Sequence, residues 1–184
     1  MILHRKHISH FSWLLFYFFS WIPMAAAQMH PQVPGSSIVF SIHNFGFKTG
    51  GTLAPPQGDI QFNPDDLSKA SFQVTIQTAS INTDNESRDE HLREEDYFDV
   101  KKYPQIRFVS NSVRSMDKQG NYEAAGTLTI KDISKPISLP FKAEKTGNGY
   151  RFSGSFKMNR RDFNIGGSST LSNELTVDII VVAQ

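Results

Sequence analysis

Acidic side chains crowd one short stretch of this chain. Asp84, Glu86, Asp89, His91, Glu94, Glu95, Asp96 and Asp99 fall within sixteen positions. Such a cluster can hold a metal ion or supply a carboxylate acid–base pair. The spacing argues against both. His91 and Glu95 lie one helical turn apart, but no second histidine follows at ligand spacing. The same residues read more simply as a solvated helix face with i, i+4 pairs such as Asp89–Arg93. Nucleophilic catalysis finds no support either. There is no cysteine and no Gly-x-Ser-x-Gly elbow. Gly50-Gly51 and Gly166-Gly167 read as turns, because neither makes a phosphate-cradling loop before a helix. No catalytic residue, metal site or cofactor is expected, and the chain reads as a binding protein, not an enzyme.

The elements around this cluster have a different character. From Ser36 onward apolar residues recur at every second position, the signal of half-buried strands. Ile38, Phe40 and Ile42 form one run; Ile60 and Phe62 another; Phe72, Val74 and Ile76 a third; Ile106 and Phe108 a fourth. Four more follow: Tyr122 to Ile130, Ile137 to Phe141, Tyr150 to Met158, and Leu175 to Val181. Turn signals separate them at Pro55 to Gly58, Asp117 to Asn121, Lys131 to Pro136, Gly147 to Gly149 and Gly166 to Ser168. Only Asn82 to Val100 breaks the period, with Thr83 or Asp84 placed to cap a short helix and Leu92 as its main apolar residue.

Eight such strands need a partner for their apolar faces, and one short helix cannot cover them. Closing the sheet on itself solves this and removes the edges. The expected fold is all-β, an extended eight-stranded antiparallel barrel with one helical insertion. Such a barrel either fills with side chains or holds one small ligand. The inward face carries Phe40, Phe62, Phe72, Phe108, Phe141, Phe152 and Phe156 beside the small Ala124, Gly126 and Gly154. Alternation alone leaves both a solid core and a hollow one open.

The ends and the composition set further bounds. Residues 1–27 read as a secretory signal: a basic start at Arg5 and Lys6, an apolar run from Phe11 to Ile22, then Ala25-Ala26-Ala27. Cleavage there leaves 157 residues, 17 basic against 18 acidic. Residues 28–35 read as a tail and 36–184 as the barrel domain. The near-neutral balance offers no field for a polyanion, so nucleic acid is not an expected partner. The expected location is periplasmic or secreted.

Several motifs carry a resemblance. Ser80-Ile81-Asn82-Thr83, Arg88-Asp89-Glu90-His91-Leu92-Arg93, Asp96-Tyr97-Phe98-Asp99-Val100 and Lys102-Tyr103-Pro104 closely resemble the signature of the YceI-like family. So do Gly126-Thr127-Leu128-Thr129-Ile130-Lys131 and Asn159-Arg160-Arg161-Asp162-Phe163. The resemblance runs from about Ser37 to Ala183. It implies a lipocalin-like barrel whose tunnel holds a polyisoprenoid or an isoprenoid quinone, in an exported protein. Asp132 and Asn164 stand where the family usually has glycine, and both types tolerate positive φ.

On that reading the tunnel lining is Phe40, Ile42, Phe62, Phe72, Val74, Ile76 and Phe108 from the first half of the chain. Leu128, Leu139, Phe141, Phe152, Phe156, Val177 and Ile179 complete it from the second. Arg88, Asp89, Tyr97, Phe98 and Arg160 are expected at the mouth. Arg88 and Asp89 have two readings there. They either pin the helix to the barrel through Arg160, Arg161 or Asp162, or Arg88 or Arg160 meets a lipid headgroup. Tyr97, Phe98 and Tyr103 either plug one end or line its entrance. Membrane contact during lipid exchange and homodimerisation stay open.

Overall fold

The computed structural model describes residues 28–167 and 170–184. The expected signal segment and Ser168 of the expected last turn lie outside the described residues. The strands are β1 (Gln28–Met29), β2 (Pro31–Asn44), β3 (Phe47–Leu53), β4 (Gln57–Gln61), β5 (Ser71–Gln77), β6 (Gln105–Ser115), β7 (Asn121–Ile130), β8 (Ile133–Thr146), β9 (Gly149–Asn159) and β10 (Leu171–Ala183). One α-helix, α1 (Glu86–Arg93), follows β5. All ten strands form one antiparallel sheet in the order β1-β4-β5-β6-β7-β8-β9-β10-β2-β3.

The sheet curls into an incompletely closed barrel: its end strands β1 and β3 do not pair with each other, so an edge remains where none was expected, and the chain's first residues stitch the two sides together. β1 pairs with β4, while β2 pairs with β10, and only His30 separates β1 from β2. His30 exchanges backbone hydrogen bonds with Gln184, 2.8 Å from its own N–H and 3.2 Å to its carbonyl. Residues 28–35 are therefore strand and not a tail. Met29 is only 4% exposed, within the core cluster of Ile60 and Phe62. A two-residue strand with Pro31 and Pro34 beside it has too little pattern to betray this.

The strand count among the described residues is ten where eight were expected. β1 is one addition and β3 the other. Gly50 and Gly51 lie inside β3 and not in a turn, opposite Ser41 and Phe40. At Gly51 a Cβ would collide with the Asn82 carbonyl, Thr83 and the Phe40 ring. The glycine thus lets the 82–83 backbone lie against β3 as an isolated bridge, Thr52 with Asn82. This bridge ties the 82–83 segment to β3 at one end of the sheet.

Turns also shift. Gln57 and Gly58 belong to β4, and Pro136 lies within β8. The β7–β8 turn is only Lys131 and Asp132, at φ 51° and 58°, the mirror-image geometry that suits hairpin twist. Asp132 and Asn164 (φ 53°) both hold the left-handed conformation expected of glycine substitutes. The helix is capped by Asn85, not by Thr83 or Asp84. Its side chain accepts from Arg88 N–H at 2.9 Å.

Candidate functional site

The barrel interior holds two cavities, of about 160 and 140 Å³. Leu53, Ile106, Ile130, Met158 and Val177 border both, so the two lie end to end along one axis. Of the expected lining, Phe72, Val74, Ile76, Phe108, Leu128 and Leu139 face the larger cavity. Phe141, Phe152, Phe156, Val177 and Ile179 join them from β8, β9 and β10. Phe40 and Ile42 face the smaller one. The walls are almost wholly hydrocarbon, because each strand turns its apolar set inward.

Phe62 lines neither cavity. It follows β4 and forms the hub of a plug at the end where the chain is stitched. Its ring sits 5.0 Å from Tyr122, 5.1 Å from Tyr150 and 5.3 Å from Phe152, each edge-on, with Phe141 at 6.0 Å. Edge-to-face packing of this kind adds to ordinary burial. Burial also raises the Tyr150 hydroxyl pKa above its usual value. Gly126 provides no void either. The Phe108 ring and the Val109 carbonyl occupy the space its Cβ would need. Ala124 and Gly154, in contrast, border the larger cavity.

The opposite end is built differently. Arg88, Tyr97, Phe98 and Arg160 all border the smaller cavity, with Leu92 and Ile165. Asp89 does not. It is 6% exposed and accepts from the Thr83 N–H at 2.9 Å and the Thr83 hydroxyl at 2.5 Å. Arg88 Nε donates to the same hydroxyl at 2.8 Å, and its Nη2 to the Thr83 carbonyl at 2.7 Å. The expected pairing of Arg88 and Asp89 with Arg160, Arg161 or Asp162 is therefore replaced by a local clamp on Thr83. The reason is placement, since the Thr52–Asn82 bridge sets Thr83 beside the helix's first turn. The expected Asp89–Arg93 pair is also absent from the helix face. Arg93 instead donates to the Ala79 and Ile81 carbonyls at 3.1 and 2.9 Å.

Arg160 is 3% exposed. Its guanidinium donates to the carbonyls of Ser172, Ile165 and Leu171 at 2.9, 2.7 and 3.2 Å. It also reaches Gly167 O and Asn173 Oδ1 at 3.4 and 3.3 Å. Burial, then the neighbouring Arg161, lowers its pKa. Arg160 thus gathers the strand-to-strand loop over the mouth. Lys131 Nζ ties the same region together, donating to Glu95 O at 2.9 Å and Asn164 O at 3.3 Å. Tyr97 packs edge-on against His91, centroids 4.9 Å apart, and reaches the cavity with Phe98. Among the described residues, no three His, Asp or Glu side chains gather as a metal set.

A family model of the YceI-like domain matches residues 32–183. The chain belongs to the YceI-like family. A UPF0312 protein of Photorhabdus laumondii is 35% identical over 151 residues, 76% of each chain. Another, from Serratia proteamaculans, is 36% identical over 136 residues, 70% of this chain and 69% of that one. Among solved structures, BcnA of Burkholderia cenocepacia superposes with a TM-score of 0.76 at 25% identity, over 81% of this chain and 96% of its own. A polyisoprenoid-binding domain from Saccharophagus degradans shares the fold at a TM-score of 0.66 and 11% identity, covering 85% and 97%. The YceI-like fold explains why the family motifs cluster at the mouth: Thr83, Arg88, Asp89, Tyr97, Phe98 and Arg160 are the parts that assemble that end.

What sequence reasoning missed is the middle of the axis. Ile106, Ile130 and Met158 sit on faces that alternation identifies, yet without the register nothing marks them as walls of both cavities. Leu53 was hidden because β3 does not alternate.

Proposed function

We propose that this protein holds one long apolar lipid, a polyisoprenoid or the tail of an isoprenoid quinone, along the barrel axis. The carrying observation is the pair of hydrocarbon-walled cavities sharing five wall residues. Each is close to the roughly 150 Å³ dry cavity that admits a benzene-sized guest. A flexible chain of several isoprene units spans both where a compact guest fits one. Every enclosed CH₂ contributes about 0.8 kcal/mol before ordering costs, so length and not a headgroup sets the affinity. The Saccharophagus degradans domain described as polyisoprenoid-binding supports the ligand class. The role is carriage, storage or protection of the lipid in the periplasm or outside the cell. No chemistry on it is needed.

Native mass spectrometry of protein purified without detergent tests this. The expected spectrum shows protein plus one mass that organic solvent extracts and that matches an isoprenoid lipid. Protein with no such mass, and with no uptake of added polyprenol or quinone, overturns the proposal. Recovery of the added lipid in altered form would instead favour an enzyme.

A further inference from the structure

The β2–β3 hairpin ends in Asn44-Phe45-Gly46-Phe47 at the mouth end of the barrel. Phe45 and Phe47 are 74% and 79% exposed, the two largest exposures among the large hydrophobic residues there. Nothing lies within 4 Å of the position a Gly46 Cβ would take, while the Phe45 N–H donates to the Thr170 carbonyl at 3.5 Å and the Thr170 hydroxyl to Asn44 Oδ1 at 2.7 Å, so the backbone of the tip is anchored and its rings are left in the open. Phe45 holds φ 49° and Gly46 φ 81°. A turn with two left-handed residues favours Asn-Gly, and a phenylalanine in that conformation is a steric outlier. Local folding therefore disfavours this ring, and solvation disfavours its exposure. Two independent costs at one residue point to a use for it outside the folded chain.

The surroundings indicate what that use is. His43 and Lys48 face each other just below the tip, both exposed, and residues 43–50 contain no acidic group. Below them Ile42 and Thr49 border the smaller cavity. Two exposed aromatic rings on a hairpin that carries Lys48 and no acidic side chain, at a hydrocarbon-lined opening, match the apolar-beyond-polar order of a bilayer surface, with the acidic 84–99 segment on the helix side of the same end. We propose that the Phe45–Phe47 tip inserts into the interfacial zone of a lipid bilayer and sets the barrel mouth against it. This rests on the lipid-holding reading, and it names where the lipid is loaded and released.

The chain has no cysteine, so Phe47→Cys gives a single site for an environment-sensitive fluorophore. Asn148→Cys, in the exposed turn at the plugged end, gives the control. With vesicles of phosphatidylethanolamine and phosphatidylglycerol, emission from the label at 47 is expected to shift to the blue and that at 148 to stay unchanged. No shift at 47, or equal shifts at both, overturns the proposal. A shift at 47 that grows with protein concentration and needs no vesicles also overturns it, in favour of a second copy of the chain. Phe45→Asn/Phe47→Ser supplies the turn with its preferred residue, so folding is retained. In that variant, transfer of a preloaded fluorescent polyprenol to the vesicles is expected to slow by about tenfold, with bound mass unchanged in native spectra. Unaltered transfer counts against the tip. If the unsubstituted protein takes up no polyprenol, the lipid-holding reading fails, while the label at 47 still decides whether the tip inserts.

Discussion

The two ends of the barrel close by different physics. At the stitched end, Phe62, Phe72, Tyr122, Phe141, Tyr150 and Phe152 pack ring against ring. At the other, Arg88, Asp89, Arg93, Arg160 and Lys131 tie loops and a helix together through hydrogen bonds, mostly to backbone carbonyls. A ring plug cannot open without losing dispersion contacts and hydrophobic burial across the whole cluster. The exposed bonds of this end, those of Arg93 to Ala79 and Lys131 to Glu95, can be exchanged one at a time for bonds to water at a modest net cost each, around the buried Arg160 and Asp89. The difference assigns a fixed floor to one end and an adjustable rim to the other.

That contrast can be broken, most strongly at the floor. Phe62→Ala removes the hub ring and is expected to cost about 3–5 kcal/mol in denaturant unfolding, while the mouth keeps its hydrogen-exchange protection. Loss of protection at both ends together would erase the distinction. Arg160→Met is expected to cost roughly 2–3 kcal/mol by stranding buried carbonyls. It should also speed lipid release, read by exchange of a fluorescent polyprenol. Asp89→Ala leaves the Thr83 N–H and hydroxyl without their acceptor and should cost about 1–2 kcal/mol. Protection should fall around residues 81–93 and not in the plug. The smallest effect is the tyrosine titration. Burial raises the Tyr150 pKa, so the folded state keeps this hydroxyl neutral after the unfolded chain has begun to ionise. Its contribution is present below the usual tyrosine value of about 10 and is lost as pH rises through the folded value. Spectrophotometric titration should show one tyrosine ionising late, and Phe62→Ala should bring it back toward the others.

The walls were far more legible in the sequence than the contacts that close either end. β7 announces itself, since Tyr122, Ala124, Gly126, Leu128 and Ile130 alternate with Glu123, Ala125, Thr127 and Thr129 and share one face. β3 does not. Lys48-Thr49-Gly50-Gly51-Thr52 has no alternation, because Gly51 serves close approach by the 82–83 segment and the Phe40 ring, and Gly50 close approach by the β2 backbone. Phe62 was placed on the inward face by its spacing from Ile60, but the chain leaves the strand between them and the ring turns into the plug. Arg88 and Asp89 were recognised as a pair with a shared purpose, yet their partner was Thr83, only a few residues upstream. Arg160 posed the hardest case. Most of its partners are backbone carbonyls, which every residue possesses, so no side-chain pattern could point to them.

The stitch at His30 has a temporal consequence. β2, the first long strand, is flanked by β3 and by β10, which is the last to be synthesised. Pairing so distant in sequence is slow to form. The hydrocarbon lumen is therefore expected to close late, when β10 meets β2 across most of the sequence, well after the local hairpins β6–β7, β7–β8 and β8–β9 have formed.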